Sequence, residues 1–456
     1  MSEENALGRE KISSLVLRIA IPSMLAQFVS VLYSIVDRMF VGNIPGIGDL
    51  CLAGVGISGP IVTMISAFAS LVGIGGTPLI GIALGEGNKE KARKILANCF
   101  VMLVGISVVV TFTSLILRRP MLMLFGASDV TLPYAESYFT IYVSGTIFAL
   151  LSTGMYQFVI AQGFAKTGMC SVILGAVLNI ILDPVFIYVF DMGVRGAATA
   201  TVISQAASTC FVLTFLLKKA DIRITFGGYH ARVMLRVLTL GITPFLIIAM
   251  DNVMIISMNS LLQRYGGENG DFLVTVNTIV QSFMLVMTMP LGGISGGTQC
   301  ILSYNYGAGY SDRVLKAQKY IVSLCILYTA VLFVLARVAG PLFASLFTTD
   351  PAINAEACRA IRICTIFAVP LGIQYEIVDG FTGMGQVQMS LPLSFWRKGV
   401  YFIALFMIPL FFEANMIFYA EPISDILAVS LSIPLYCTQI KKILKKREDS
   451  RPTYEA

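Results

Sequence analysis

The chain has 456 residues, of which 56% are hydrophobic and only 13% are charged, and its mean hydropathy is +0.81. These values exclude a soluble globular protein, in which about a quarter of the residues are charged. The formal net charge of +6 does not indicate a nucleic-acid-binding protein, because the basic residues lie in short loops between apolar segments, as membrane topology requires.

The apolar segments predict an all-α polytopic membrane protein with twelve transmembrane helices. A span of the bilayer needs about twenty apolar residues, and the twelve segments leave almost no length for a soluble domain. Several segments are longer than a straight span requires, so tilted or bent helices are expected. The predicted spans are residues 14–42, 51–84, 95–117, 134–161, 169–190, 196–217, 233–262, 272–306, 320–339, 352–384, 391–411 and 415–440.

Positive charges are distributed unequally between the two sides of these spans. The chain ends and the even-numbered loops carry most of the lysines and arginines, for example in segments 89–94, 218–236 and 441–451. The odd-numbered loops carry only Arg118, Arg119, Arg195, Arg264 and Arg337. Because an excess of Lys and Arg marks cytoplasmic loops, both termini are predicted to be cytoplasmic. The polar N-terminus lacks a cleavable signal, so the first span is expected to direct insertion into the plasma (inner) membrane.

The second half of the chain repeats the first at an offset of 222 residues. Pro22 corresponds to Pro244 and Gly75 to Gly297, and the loop 85–91 corresponds to the loop 307–313. Both copies begin on the same side, which predicts two parallel six-helix bundles related by a pseudo-twofold axis along the membrane normal. The predicted domains are an N-terminal bundle with a cation site (1–225), a cytoplasmic linker (226–236) and a C-terminal bundle with a basic tail (237–456).

Polar residues inside the fifth span predict a functional site. Asn179 and Asp183 are spaced i, i+4 and therefore share a helix face. Pro184 frees a backbone carbonyl one turn earlier and is expected to bend the helix. An intramembrane carboxylate costs about 2.5–3.5 kcal/mol even on the lenient insertion scale, which favours a functional role. The arrangement predicts an oxygen-lined site for a small cation; the alternative is a buried polar pair that joins two helices.

Two residues outside the fifth span are predicted to converge on the same site. A helix rises about 1.5 Å per residue, so the distance of a residue from the end of its span gives its depth in the bilayer. By this measure Asp37 in the first span and Thr201 in the sixth lie at a similar depth to Asp183, in the outer part of the bilayer. The second repeat lacks these acids, since Asn259 and Leu405 stand at the positions of Asp37 and Asp183. Packing alone does not require that asymmetry.

Other residue patterns define a second acidic set and exclude several activities. Asp251, Glu376 and Asp379 form a looser set in the second bundle. The nine cysteines are scattered singly and the one histidine, His230, lies in a basic loop, which excludes a His-based metal site or triad. No G-x-x-x-x-G-K-[ST] motif occurs, so an ATP-driven pump is not expected. The chain is expected to have no catalytic residue and no cofactor.

Six short segments, in order along the chain, carry a family resemblance. They are IPSM (21–24) with VD (36–37) and FVG (40–42), GEGN (85–88), LNIILDP (178–184), GAATAT (196–201), SFWRKG (394–399) and PISD (422–425). Each segment is weak by itself, but their order across twelve spans is specific. Over nearly its whole length the chain resembles the multidrug and toxic compound extrusion (MATE) family.

This resemblance implies a secondary multidrug efflux transporter, an antiporter rather than an enzyme. It would export amphipathic, often cationic, drugs or toxins in exchange for H⁺ or Na⁺ by alternating access, and so confer drug resistance. In the branch that keeps its acids in the N-terminal bundle, the implied cation-site residues are Asp37, Asn179, Asp183 and Thr201. Pro22 matches a proline at which the first span bends. The other branch uses acids in spans seven and ten, which Asp251 and Asp379 match loosely.

The coupling ion and the substrate class remain open at this point. Two carboxyls can exchange a proton, whereas carboxylate, amide and hydroxyl oxygens together can also hold Na⁺.

A lipid-linked oligosaccharide or peptidoglycan-precursor flippase of the same superfamily is an alternative function. Such a flippase would need a cationic cleft, and the only residues that suggest one are Arg38, Arg359 and Arg362. Glu356 lies at helical spacing from the last two, which favours local ion pairing. A membrane-embedded transferase would need a metal or His motif that the sequence lacks. The expected partners are small amphipathic compounds and the bilayer, with no nucleic acid, and a monomer is expected.

Overall fold

The computed structural model describes residues 6–449, except for the side chain of Asp49. This part of the chain is built from helices and contains no β-strand. Both termini, whose cytoplasmic location is predicted, and the last residues of the basic tail lie outside the described residues.

The helices follow one another with short connections, as expected for antiparallel membrane spans. Those of the first repeat are α1 (Ala6–Arg9), α2 (Ile12–Gly42), α3 (Gly48–Gly85), α4 (Lys89–Ile116), α5 (Arg118–Leu124), α6 (Leu132–Ser144), α7 (Thr146–Ala161), α8 (Ala165–Pro184) and α9 (Val194–Lys218), with a π-helical turn at Val185–Val189. Those of the second are α10 (Ala231–Gly266), α11 (Gly270–Gly307), α12 (Ser311–Val338), α13 (Gly340–Ser345), α14 (Pro351–Cys364), α15 (Ala368–Gly383), α16 (Val387–Phe411) and α17 (Ala420–Asp449), with 3₁₀ turns at Gly267–Asn269 and Ala414–Tyr419.

The number of membrane spans agrees with the prediction. Nine segments of the described residues are long and apolar enough to cross a membrane, and eleven if each of two bent helix pairs is taken as one span. The longest segment, Ala231–Gly307, has 77 residues and consists of α10 and α11, each of which is long enough to span by itself. Counting these two separately brings the number to twelve, so the predicted all-helical, twelve-span fold is confirmed.

Two of the predicted spans, 134–161 and 352–384, are each built from two helices. α6 and α7 meet at 56°, and α14 and α15 meet at 51°. At the first break, a Cβ added to Gly145 would lie against the side chain of Val202, so α9 packs directly onto the bend. Bent helices are expected for segments longer than the bilayer is thick, and these two segments bend.

The internal repeat is visible in the helix boundaries. α4 begins at Lys89 and ends at Ile116, and α12 begins and ends 222 residues later, at Ser311 and Val338. α3 and α11 each contain 38 residues, and α7 and α15 each contain 16. Because helix ends depend on the local turn residues, the shared boundaries indicate that loops as well as spans are duplicated.

The helices cluster into two compact units, the N-unit (Leu25–Ile248) and the C-unit (Met1–Met24 with Ala249–Ala456). The boundaries fall within α2 and α10, shortly after Pro22 and Pro244, and not in the linker 226–236. Both prolines lie inside continuous helices, so the functional bend expected at Pro22 stays a prediction. The division into functional bundles at 1–225 and 237–456 likewise stays a prediction.

The opening segment of each repeat packs in the unit formed mostly by the other repeat. In the N-unit, Gly241 of α10 packs against the backbone carbonyl of Leu71 in α3, where a Cβ would clash. In the C-unit, Arg313 Nη2 donates hydrogen bonds to the carbonyl oxygens of Leu7 and Glu10 at 3.1 and 3.0 Å. Close backbone packing of this kind is typical of membrane helices, whose interfaces depend on small residues and polar contacts.

Candidate cation site

The first and fifth spans bring two carboxyl groups together in the N-unit. Asp183, next to the end of α8, is fully buried, and Asn179, one turn earlier, is 2% exposed. The carboxyl group of Asp37 in α2 lies within hydrogen-bonding reach of the Asp183 carboxyl. Two ionised carboxylates repel each other at such a separation, so the contact suits a shared proton or a bound cation.

Asn179 links this carboxyl pair to the sixth span. Its Nδ2 donates to Asp183 Oδ1 at 3.1 Å and to Thr201 Oγ1 at 3.5 Å. Thr201 Oγ1 in turn donates to the carbonyl of Ala197 at 3.0 Å, which leaves its lone pairs to face Asn179. The four residues that the sequence analysis singles out therefore lie together, although their role stays a prediction.

Three buried oxygen atoms of this cluster have no hydrogen-bond donor among the described residues. They are Asp37 Oδ1, Asn179 Oδ1 and Asp183 Oδ2. Buried polar atoms are normally hydrogen-bonded, and hard cations take oxygen ligands of this kind. In the described part of the chain no group of three or more His, Cys, Asp or Glu could hold a metal, so the two carboxyls and neutral oxygens are the ligand set available here.

The backbone next to the site leaves regular α-helical geometry. α8 runs as far as Pro184, after which Val185–Val189 forms a π-helical turn with a hydrogen bond of 2.9 Å from Phe190 N–H to the carbonyl of Val185. At the corresponding position of the second repeat stands Phe406, inside the uninterrupted helix α16. The proline removes one backbone donor, and π-turns often occur at functional sites. The break at Pro184 thus occurs in the repeat that carries the acids.

The π-turn is held against the end of the first span and the start of the sixth. The hydroxyl of Tyr188 donates to the carbonyl of Phe40 at 2.7 Å. A Cβ added to Gly196 would lie 2.6 Å from the carbonyl carbon of Phe186, so only glycine lets α9 approach the turn this closely.

Gly196→Ala is expected to lower the free energy of unfolding by about 1–3 kcal/mol, the typical cost of overpacking. The backbone of the π-turn would have to move, because no flexible side chain is available to yield. Thermal unfolding of the purified protein in detergent measures the effect. Gly56→Ala in α3 is the matched control, since a Cβ there meets nothing within 4 Å and alanine favours the helix. Equal midpoints for the two variants would contradict the proposed contact.

Further polar residues, which the sequence analysis did not identify, surround the site. Tyr33 lies close enough to Asp37 to interact with it electrostatically, and Gln205 Nε2 donates to the hydroxyl of Tyr142 at 3.5 Å. The sequence contains a signal for two of them, since Tyr33 precedes Asp37 by four residues and Gln205 follows Thr201 by four. Each of these pairs shares a helix face.

An apolar cluster lies next to the site, since its Tyr138 is close enough to Asp37 and Asp183 to interact with them electrostatically. Its buried members are Val41, Ile44, Cys51, Val55, Tyr138, Tyr142, Ile187, Val194, Ala197 and Ala198. The rings of Tyr138 and Tyr142 stack with centroids 6.1 Å apart. Ile44, Cys51 and Ile187 also line a cavity of about 610 Å³, so the cluster forms part of the wall of that cavity.

The second acidic set does not form one cluster. In the C-unit, Asp379 of α15 accepts hydrogen bonds from Ser295 Oγ and from Gln299 Nε2, the latter at 3.1 Å. Both carboxylate oxygens of Glu376 are buried without a donor among the described residues. Asp251 of α10 has a different partner, the ammonium of Lys398. Roles for these three acids in substrate or ion binding stay predictions.

Two of the three arginines that would suit a flippase cleft have local partners. Arg359 lies 3.6 Å from Glu356, which is the helical ion pair expected from their spacing. Arg362 Nη2 donates to the carbonyl of Arg337 at 3.3 Å. Arg38 is exposed at the end of α2. Arg359 and Arg362 are therefore held by contacts within the protein.

Known sequences resemble this chain over most of its length. The MatE family model matches residues 22–185 and 248–408, one segment in each repeat. The multidrug export protein MepA of Staphylococcus haemolyticus is 25% identical over 405 residues, which cover 88% of this chain and 86% of that protein. MepA of Staphylococcus aureus (strain N315) is 24% identical over 410 residues, with the same coverage of both chains, 88% and 86%.

Solved structures share the fold. An outward-facing multidrug resistance MATE family transporter of the MOP superfamily superimposes with a TM-score of 0.88 at 23% identity, over 98% of this chain and 99% of that chain. A MOP superfamily transporter from Pyrococcus furiosus, whose binding pocket is described as having reverse polarity, superimposes with a TM-score of 0.89 at 22% identity, over 97% and 99%.

Proposed function

Because the chain belongs to the MatE family, whose members are transporters rather than enzymes, we propose that it is a secondary multidrug exporter. It moves amphipathic, often cationic, organic compounds out of the cell in exchange for H⁺ or Na⁺ by alternating access. The observation that carries this proposal is the convergence of Asp37, Asn179, Asp183 and Thr201, with three buried oxygens that lack a donor among the described residues.

Coupling follows from the repulsion within the carboxyl pair. Without a bound ion, Asp37 and Asp183 cannot both be ionised in contact, so conformations that separate them are favoured. A proton or Na⁺ between them favours the conformation in which they meet. An ion shifts such an equilibrium only by its differential affinity for the two conformations, and a shift from 1:99 to 99:1 requires about a 10⁴-fold difference.

Both candidate ions fit the ligand set. A single proton shared between Asp37 and Asp183 satisfies the carboxyl contact. Na⁺ could instead use the two carboxylates, the Asn179 amide oxygen and the Thr201 hydroxyl, because hard cations bind oxygen atoms of these types. Gradient-driven uptake can distinguish the two ions, because only the gradient of the coupling ion drives transport.

The substrate class is supported by the relatives. The staphylococcal proteins that match this chain are called multidrug export proteins, and three MATE structures are complexes with MaD3S, MaL6 and MaD5. A small-molecule substrate is consistent with a chain whose described residues are nearly all in membrane spans and short loops.

The proposed setting is the plasma (inner) membrane, with both termini in the cytoplasm. The excess of Lys and Arg in the even-numbered loops supports this orientation. The protein is proposed to act as a monomer, because one chain contains both copies of the repeat.

The test is uptake of tetraphenylphosphonium by proteoliposomes with an imposed gradient. Four preparations are compared, with a pH gradient alone, a Na⁺ gradient alone, both gradients and neither. Uptake driven by one gradient names the coupling ion, and uptake above that of protein-free liposomes is expected in at least one case. Equal uptake in all four preparations, for tetraphenylphosphonium and for ethidium, would refute coupled drug export and favour a lipid-linked substrate.

A further inference from the structure

A network of five charged residues lies in the C-unit, outside the candidate cation site. On α16, Arg397 donates from Nε to Asp425 Oδ1 at 2.9 Å and from Nη2 to Glu421 Oε1 at 2.8 Å. The neighbouring Lys398 places its ammonium on Asp251 Oδ1. The acids come from α10 and α17, so the network joins three helices. It includes the SFWRKG and PISD segments, to which the proposed coupling mechanism gives no role.

The two ends of the lysine pair differ in exposure. The Lys398 side chain is 9% exposed, whereas that of Asp251 is 45% exposed. Charged side chains within membrane spans face the bundle interior or a water-filled cavity and not lipid. The Asp251 carboxylate is therefore open to an aqueous path, while the ammonium that neutralises it approaches from the protein interior.

Lys398 has a second carboxylate within its electrostatic reach. Asp425 is fully buried, and Lys398 is close enough to interact with it. Asp425 Oδ1 is bound by Arg397, but Oδ2 is buried without a donor among the described residues. A buried ammonium that lost its partner would be costly. Here the flexible lysine could leave Asp251 and still find a carboxylate oxygen.

The formal charge of the network also favours the binding of a cation at Asp251. Asp251, Glu421 and Asp425 are three acids, and Arg397 and Lys398 are two bases, so the network has a formal charge of −1. Its uncharged titratable neighbours include Tyr375, Tyr401 and Cys364. A monovalent cation brought to Asp251 makes the network neutral. An anion would add to an excess of negative charge and is disfavoured.

We propose that Lys398 is an internal counter-ion that competes with a cationic substrate for Asp251. An organic cation arriving from the aqueous side displaces the ammonium, which moves towards Asp425 Oδ2. This inference rests on the proposed function, since it assumes that the transported compounds are cationic. Lys398 thereby lowers the affinity of the protein for cations, because each cation has to displace it. Asp251 is the group that contacts the cation.

The ion pairs of Arg397 are fixed, whereas the ion pair of Lys398 can be displaced. Its planar guanidinium engages two acids at once and its side chain is 11% exposed, and a fork of this kind is rigid. Lys398 is a point charge on a flexible stem with a single partially exposed partner. Only the lysine pair is thus suited to exchange.

The experiment measures equilibrium binding of tetraphenylphosphonium to the purified full-length protein in detergent, by isothermal titration calorimetry. Lys398→Met removes the ammonium and keeps most of the apolar stem. Its Kd for tetraphenylphosphonium is expected to be about tenfold lower than that of the wild type, which corresponds to one modest ion pair. The affinity for the uncharged analogue triphenylphosphine oxide is expected to stay the same. Combining Lys398→Met with Asp251→Asn should cancel the gain.

The control is Lys319→Met on α12, which removes a lysine from an exposed position of the same unit and should leave Kd unchanged. Lys398→Gln is a second variant in case the methionine variant does not fold. An unchanged or higher Kd in the folded Lys398 variants would overturn the inference, as would an equal gain for the uncharged analogue. Failure of wild-type gradient-driven uptake would count against the proposed function, and the ratio of the two Kd values would still decide the role of Lys398.

Discussion

Asp183→Asn is expected to abolish gradient-driven uptake of tetraphenylphosphonium, reducing it to the level of protein-free liposomes. Asparagine has nearly the same shape as a protonated aspartate, but it cannot release a proton or supply a negative charge to Na⁺. The variant should therefore remain in the ion-bound conformation, because the repulsion between Asp37 and the fifth span is removed. Proteoliposome uptake under the effective gradient measures the loss, and binding of tetraphenylphosphonium to the purified variant should stay within about threefold of wild type, less than 1 kcal/mol.

Asp191→Asn provides the matched control for this substitution. Asp191 is exposed just beyond the same span and has a φ of 53°, a left-handed conformation that asparagine also tolerates. Its uptake should equal that of wild type. Full uptake by Asp183→Asn would place the coupling site elsewhere, and the acids of the C-unit, Asp251 and Asp379, would be the next candidates.

Arg397→Met is expected to cause the largest loss of stability. It would leave Glu421 and the fully buried Asp425 without their shared cation. Breaking a buried ion pair by removing one partner costs about 3–5 kcal/mol. The only tryptophan of the chain, Trp396, is the adjacent residue, and its indole N–H donates to the carbonyl of Leu427 at 3.2 Å. Its intrinsic fluorescence during thermal unfolding therefore reports on this region directly.

Arg359→Met is the control for that prediction. Arg359 also pairs with an acid in the C-unit, but its side chain is 49% exposed, and exposed pairs contribute about 0–1 kcal/mol. The midpoint of unfolding should fall by several degrees for Arg397→Met and hardly at all for Arg359→Met. Similar midpoints for both variants would mean that the network around Arg397 does not stabilise the C-unit.

The sequence was sufficient for the spans, the repeat and the four polar residues that the structure brings together in the candidate site. Hydropathy determines where a chain enters and leaves a bilayer, because an unpaired backbone or charge in hydrocarbon is too costly. The i, i+4 spacing of Asn179 and Asp183 placed both on one face of α8. Their absence from the second repeat, where Leu405 replaces the acid, separated them from residues needed for packing. The structure brings Asp37 and Thr201 to the same place.

Other features were decided by the tertiary structure alone. The sequence predicted a bend at Pro184, but the π-helical turn that follows depends on contacts with Phe40 and Gly196 from other helices. The pair Lys398–Asp251 joins residues 147 positions apart, and periodicity along one helix cannot reveal which face of a distant helix it will meet. The sequence thus determined which side chains lie on each face of a helix. The packing of the helices decided which of these side chains came into contact.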